Sequence, residues 1–169
     1  MTDFLSENFE FEIEEKYKGF IPIFDGQNYI VKNRAVLIGD AGGQIKPTSG
    51  GGLLIAFEAC KIASKYITKS VEEDNISILN EYQKDFNKKF KKEFGYQFKV
   101  QKTLHLLSDS DLDYLFRKLR DNDGEYLISE YGDMDTQSTL VKEFIKRGLI
   151  FKIIPTFLFK KVINIFGFR

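Results

Sequence analysis

The chain has 169 residues, 43% hydrophobic and 30% charged, a composition that suits a packed core and excludes a disordered polymer. Its 25 basic and 25 acidic residues cancel, which argues against a general nucleic-acid binder, and its single cysteine, Cys60, excludes a disulfide-stapled fold. The first residues are acidic and lack an apolar leader core, and no apolar run nears the ~20 residues of a membrane span, so a cytoplasmic protein is expected.

Residues 9–38 read as strands. Phe9 to Glu15 alternates apolar and charged side chains, the period-two pattern of a half-buried strand. A second apolar run follows at 20–24, then a turn cluster at Asp25, Gly26, Gln27 and Asn28. Tyr29 to Val31 continues the pattern, and Ala35 to Ile38 is a short apolar run of the kind buried on both faces of a sheet. A glycine-rich loop, Gly39 to Gly52, leads into a helix expected over about Gly51 to Lys69, with Thr48 or Ser49 as its N-cap. Ala56, Ala59, Cys60 and Ala63 give that helix a face of small side chains for close packing.

From about Ile76 the pattern is helical. Tyr82, Phe86, Phe90, Phe94 and Phe98 recur every four residues, opposite a lysine-rich face, and predict a long amphipathic helix that Gly95 would interrupt. Ser108 to Asp111 carries the signature of a helix cap, with the helix running to about Arg120. Asp121 to Gly124 breaks it. A further helix is expected over Asp135 to Arg147, ended by Gly148. From Leu140 to Arg169, seven basic residues stand against Glu143 alone, a net of +6, so the remainder carries −6. The expected organisation is therefore α/β, more closely an α+β fragment: strands, loop and crossover helix over 1–70, and a helical region over 71–169.

The loop has a physical purpose that its residues suggest. A strand ends at Gly39 and Asp40, and a helix begins on consecutive glycines. A helix N-terminus offers unpaired N–H groups and partial positive charge, and glycines admit a ligand close to the backbone. Such a place suits an anionic or electron-rich ligand, with the aspartate accepting from sugar-like hydroxyls. The spacing is neither G-x-G-x-x-G nor a Walker loop.

The whole string from Gly39 to Leu53, GDAGGQIKPTSGGGL, resembles the second flavin motif of FAD enzymes of the aromatic-hydroxylase superfamily. In its Gln44 to Gly52 stretch it is similar to geranylgeranyl reductases, notably archaeal ones that saturate isoprenoid lipid chains. Gly19 to Pro22 fits the same family, and Gly42 departs from it, standing where alanine is usual. The resemblance is strongest over Val36 to Ala63 and fades after about Thr68. It implies the C-terminal part of a GR2-type FAD-binding fold followed by a helical region. Asp40 would then accept from a ribityl hydroxyl of FAD. Gly39, Ala41, Gly42 and Gly43 would wrap the ribityl and phosphate side, and Pro47 would lie along the isoalloxazine. Gly51, Gly52 and Leu53 would bring backbone N–H groups to the flavin's N1/C2 edge, where a helix N-terminus stabilises the negative charge of reduced flavin, and Gly50 is a further cofactor-binding residue.

The family's first flavin motif, a G-x-G-x-x-G, has no counterpart here. The resemblance thus implies a truncated product, a fragment or one part of a split enzyme, which binds FAD poorly or not at all by itself, with an N-terminal FAD-binding half as a separate chain in the split case. The substrate would be an isoprenoid lipid or geranylgeranyl diphosphate, in membrane lipid biosynthesis. It names no catalytic residue. A hydroxylase or halogenase is the alternative within flavoenzymes, and a non-enzymatic remnant or membrane-associated module the alternative outside them.

Other residues carry weaker signals. His105 is the only histidine and supports neither a triad nor a metal cluster. Cys60 reads as a packing residue. Asp109, Asp111 and Asp113 begin like a calcium loop, but Tyr114 and Arg120 replace the glycine and glutamate such a loop needs, so capping is expected and no metal site. The aromatic ladder reads as core, or as a wall of a lipid-chain pocket. The basic, apolar segment 140–169 reads either as an interfacial contact with anionic headgroups, peripheral at the membrane surface, or as an ordinary helix with a solvated face.

Overall fold

A computed structural model describes residues 9–12, 14–22, 24, 29–154, 158 and 164–167. It is mostly helical. A hairpin pairs β1 (Val31–Lys32) antiparallel with β2 (Ala35–Val36), Val31 opposite Val36. Asn33 turns it in the left-handed region (φ 52°), a conformation asparagine tolerates. The loop follows, then α1 (Leu53–Glu72), α2 (Leu79–Leu104), α3 (Asp109–Arg120), α4 (Gly124–Tyr131), α5 (Gln137–Lys146) and α6 (Leu149–Ile153).

The strand-rich reading of residues 9–38 is corrected. Residues 9–12 and 14–22 form no strand, and Phe9, Phe11, Tyr17, Phe20 and Ile21 are exposed. The turn cluster at 25–28 lies outside the described residues. Alternation marks a strand only where a neighbouring edge takes up its hydrogen bonds, and none does so among the described residues. Ala35 to Ile38 is likewise not buried on both faces: Ala35 and Leu37 are exposed and Val36 and Ile38 half-buried. Among the described residues the α/β expectation thus reduces to a mostly helical fold with one short hairpin.

The helical expectations fare better. The aromatic period folds as α2, which runs unbroken through Gly95, where an added Cβ would meet nothing within 4 Å. Tyr82, Phe86 and Phe94 are buried against Ile55, Ala59 and Ala63 of α1, with Phe24, Ile30 and Val31 completing a first core. Phe24 meets Phe94 edge-on at 4.9 Å between ring centroids. Burial of each such side chain is worth about 1.5–3 kcal/mol. Tyr82, Phe86 and Phe94 of the ladder are therefore core and Phe90 packs against it, while Phe98 is half-buried and belongs to neither cluster. Ser108 caps α3 in a capping box with Asp111: the Asp111 N–H donates to the Ser108 hydroxyl, and the Ser108 N–H donates to the Asp111 carboxylate at 2.9 Å. The Ser108 hydroxyl, which also donates to that carboxylate at 2.7 Å, and then the Ser108 N–H hold the Asp111 carboxyl below its ordinary range. Gly148, at φ 64°, separates α5 from α6.

Helix α4 escaped the sequence reading, because Gly124 opens it and no periodic apolar run announces it. Cys60 is exposed rather than packed, while its neighbours Ala59 and Ala63 face inward. A second core joins Leu119, Leu127, Leu149, Ile153, Ile154 and Leu158. Helix α2 links the two: Leu79 to Phe94 sit in the first core, and Val100 and Leu104 line a cavity together with Leu119, Ile153 and Ile154 of the second. No helix among the described residues is long and apolar enough to cross a membrane.

Candidate functional site

The glycine-rich loop is a sequence of closed turns. Gly39, Asp40, Ala41 and Gly42 form one turn of 3-10 helix, and the Gly43 N–H donates back to the Asp40 carbonyl at 2.9 Å. Gln44 then folds inward and is fully buried. Its Oε1 accepts from the Gly39 N–H at 2.8 Å, and its Nε2 donates to the Tyr82 hydroxyl at 2.6 Å. The same hydroxyl donates to the Leu37 carbonyl at 3.1 Å. Two side chains thus pin the strand end, the loop and α2 together, and burial pushes the Tyr82 phenol above its ordinary value. A second turn closes from Lys46 to Gly51, with the Lys46 N–H donating to the Gly51 carbonyl at 3.1 Å. Gly50 takes φ 68° there, a conformation that costs a side chain about 1–2 kcal/mol.

Helix α1 begins without a cap. Gly52 is its N-cap residue, no side chain bonds to it, and its first turn holds no acid. The first bond of the helix runs from the Ala56 N–H to the Gly52 carbonyl, which leaves the N–H groups of Leu53 to Ile55 outside the ladder. Thr48 and Ser49, the expected caps, are occupied elsewhere: Thr48 with α2 and α5, and Ser49 with the Gly51 N–H. Asp40 stands beside this open end. A Cβ on Gly52 would lie 3.2 Å from its Oδ1, so glycine is what lets the carboxylate approach the helix start. The Asp40 side chain is exposed and has no hydrogen-bond or ion-pair partner among the described residues.

The ten residues that the sequence singles out therefore fall in two neighbouring groups. Gly39 to Gly43 form the turn whose Gly39 and Asp40 approach Ala56 and Gly52 at the start of α1, where Leu53 follows; a Cβ on Gly39 would lie 3.7 Å from that of Ala56. Pro47 and Gly50 instead line a groove of about 260 Å3 with Ile21, Lys46 and Gln101. Gly51 bridges the two, close against the Lys46 side chain.

A polar seam, invisible in the sequence, fastens this loop to the helices. Lys46 is buried and its Nζ pairs with Asp135 at 2.5 Å. Gln137 Nε2 donates to the Thr48 hydroxyl at 2.7 Å, and buried Gln97 donates to the Asp135 carbonyl at 3.2 Å. Glu93 accepts from the N–H groups of Gln137 and Ser138, at 2.6 and 3.1 Å, and so caps α5 from across the molecule. The Asp133 carboxylate takes the N–H groups of Asp135 and Thr136, which hold its carboxyl below the ordinary range. Apart from these turn bonds of Asp133, the partners of the seam lie 38 to 89 residues apart in the chain. Chemically, the loop offers free N–H donors, a free carboxylate and tightly held backbone: a place to bind an electron-rich group that also carries hydroxyls.

No family model matches the chain, and no solved structure does. Curated relatives do. An uncharacterized protein of Methanocaldococcus jannaschii is 36% identical over 126 residues, 73% of this chain and 32% of that protein. Digeranylgeranylglycerophospholipid reductase 1 of Methanococcoides burtonii is 32% identical over 73% of this chain and 31% of its own length. Digeranylgeranylglycerophospholipid reductase 2 of Methanothermobacter thermautotrophicus is 31% identical over 62% of this chain and 28% of its own. The chain thus spans about a third of the length of the relatives it matches. Over the region it shares with them, the chain belongs to the geranylgeranyl reductase family.

Proposed function

We propose that this chain supplies the second flavin-contacting segment and the helical C-terminal region of an FAD-dependent reductase of isoprenoid double bonds in membrane lipid biosynthesis. One observation carries the reading: in a chain related to reductases, an unpartnered carboxylate, Asp40, stands against an uncapped helix that begins on consecutive glycines. The residues present fit the flavin. Asp40 would accept from the ribityl hydroxyls; Gly39, Ala41, Gly42 and Gly43 would border the ribityl and phosphate side; Pro47 would flank the ring, with Gly50 in the same groove; and Gly51, Gly52 and Leu53 would face its N1/C2 edge. When bound and reduced, FAD supplies a hydride to an alkene carbon. The open N–H groups of α1 stabilise negative charge at that edge, and the pinned loop holds them in place at no cost of reorganisation.

The first flavin-binding half comes from a further segment, joined or separate. The apolar face of α1 turned away from α2 supports this: Leu53, Leu54 and Phe57 are exposed where a partner surface would cover them. The substrate is an isoprenoid lipid or geranylgeranyl diphosphate. The segment 140–169 meets anionic headgroups at the membrane surface, a reading supported by exposed Lys142, Lys146, Arg147 and Lys152; positions 155–157, 159–163 and 168–169 lie outside the described residues. The division into a flavin-contacting part over 1–70 and a helical part over 71–169 belongs to the same proposal.

The test is a titration of FAD by fluorescence quenching, with the chain alone and with the complementary segment of a related reductase added. Saturable quenching is expected in the mixture, weakened about tenfold or more by Asp40→Ala, the loss of one or two charged hydrogen bonds at roughly 1.5–3 kcal/mol. Quenching in neither sample, or quenching indifferent to Asp40, overturns the proposal. Anaerobic reoxidation of the reduced flavin by a geranylgeranyl lipid then separates a reductase from a hydroxylase, which needs oxygen.

A further inference from the structure

Two opposite charges flank the start of α1, one against each of two consecutive glycines. Beside Gly52 stands the Asp40 carboxylate, whose Oδ1 an added Cβ would meet at 3.2 Å. Beside Gly51 lies the Lys46 side chain: an added Cβ would meet its Cε at 2.9 Å and its Nζ at 3.4 Å. The turn that brings Lys46 and Gly51 together is closed by backbone bonds. The Lys46 N–H donates to the Gly51 carbonyl at 3.1 Å, and the Gly50 N–H donates to the Lys46 carbonyl at 2.9 Å. Glycine at 51 thus leaves room for an ammonium next to the uncapped helix start, as glycine at 52 leaves room for a carboxylate.

An ammonium is costly to place there. The Lys46 side chain is 10% exposed, and a cation taken out of water needs a partner. Asp135 supplies one at 2.5 Å, yet its own side chain is 52% exposed. Water screens the carboxylate more than the ammonium, so the pair does not cancel at the loop and the cation dominates the field there. Asp133, the other acid that senses the Lys46 charge, is exposed too, and its carboxylate already takes two backbone N–H groups. Fastening the loop to the helices needs no charge, since Gln137 and Thr48 do so with a neutral bond at 2.7 Å. The ion pair adds what a neutral bond lacks: a fixed positive charge beside the glycines.

We propose that Lys46 tunes this site: its ammonium favours the reduced, negatively charged form of the flavin over the oxidised form, and Asp135 is the positioning residue that holds the ammonium and tempers it. This role rests on the flavin reading above. It entails opposite effects for the two partners. Loss of the cation weakens the hold on reduced flavin more than on oxidised flavin and lowers the potential. Loss of the carboxylate's charge, with the lysine kept in place, raises it. A purely structural latch responds alike to the loss of either partner.

The test measures the midpoint potential of FAD bound to the full chain with the complementary segment added, against a reference dye. In Lys46→Met the ratio of affinities for reduced and oxidised flavin is expected to fall about tenfold or more, a lowering of about 30 mV for a two-electron couple. Lys46→Arg keeps the charge and is expected to stay within about threefold of the unsubstituted chain. Asp135→Asn keeps an oxygen for the lysine without the opposing charge, and its ratio is expected to rise. The double variant Lys46→Met with Asp135→Leu strands no charge, and its ratio is expected to lie below that of the unsubstituted chain with helical circular dichroism retained. Potentials unchanged in Lys46→Met, lowered alike in Lys46→Met and Asp135→Asn, or flavin lost equally in both redox states overturn the role of Lys46 and leave the flavin reading standing. Failure of the unsubstituted mixture to bind FAD overturns that reading and this role with it, so the two failures are told apart by whether the unsubstituted chain holds flavin.

Discussion

Tyr82→Phe isolates the device that holds the glycine-rich loop. The change removes one oxygen and leaves the ring volume almost intact, so no cavity contributes. It deprives the Gln44 Nε2 donor of its acceptor at 2.6 Å and the Leu37 carbonyl of its donor at 3.1 Å. Gln44 is fully buried, so its amide has no water to turn to. An unsatisfied buried donor costs about 1–3 kcal/mol, and the lost bond to Leu37 about 0.5–1.5 kcal/mol more. The expected loss is roughly 2–3 kcal/mol, or a fall in Tm of about 5–10 °C for a chain of this size. Urea unfolding followed by circular dichroism measures it. Combining Tyr82→Phe with Gln44→Leu should cost less than the two changes added, because the second removes the stranded donor.

A second readout is alkaline. Burial raises the Tyr82 phenol above its ordinary value of 10.0. The unfolded chain then releases this proton first, so stability is intact below pH 10 and declines as pH rises from there through the raised value. Tyr82→Phe should remove that share of the alkaline decline. A change in stability below about 0.5 kcal/mol, strict additivity with Gln44→Leu, and an unaltered alkaline limb would together refute the pinning argument.

Other consequences follow from the same contacts. Asp135→Ala leaves Lys46, whose side chain is 10% exposed, without its partner; a cost of about 1–2 kcal/mol is expected, between the values for surface and fully buried pairs, and urea unfolding reads it. Gly50→Ala forces a side chain into φ 68° and should cost about 1–2 kcal/mol by the same measurement. Ser108→Ala removes the α3 cap at about 1 kcal/mol, with hydrogen exchange rising in the first turn of that helix and nowhere in α1. Asp133 is held below its ordinary 3.8 by the Asp135 and Thr136 N–H groups. Its contribution is present above pH 3.8 and lost as pH falls through the lowered value, and Asp133→Asn should flatten that acid limb in unfolding curves taken from pH 5 downward.

Local chemistry was legible where one segment carries its own reason. The four-residue period of Tyr82 to Phe94 dictates a helix whatever surrounds it, and Ser108 with Asp111 fixes where α3 begins, because both partners lie within one turn. The glycine-rich string from Gly39 to Gly52 announced turns leading into a helix for a related reason, whereas the ten residues proposed to contact the cofactor came from the family resemblance and not from local chemistry. The strands expected over residues 9–22 are not formed by the described residues there, because a strand is half of a pair and the sequence carries no record of its neighbour. Nor could the sequence show that Thr48 serves α2 and α5 rather than α1, or that Gln44 turns inward to Tyr82. The same holds for Lys46 and Asp135, whose attraction acts across 2.5 Å of space but 89 residues of chain. Periodicity and caps are short-range and survive in the sequence; burial, ion pairs and cavities arise only when distant segments exclude water together, and that the tertiary structure alone decides.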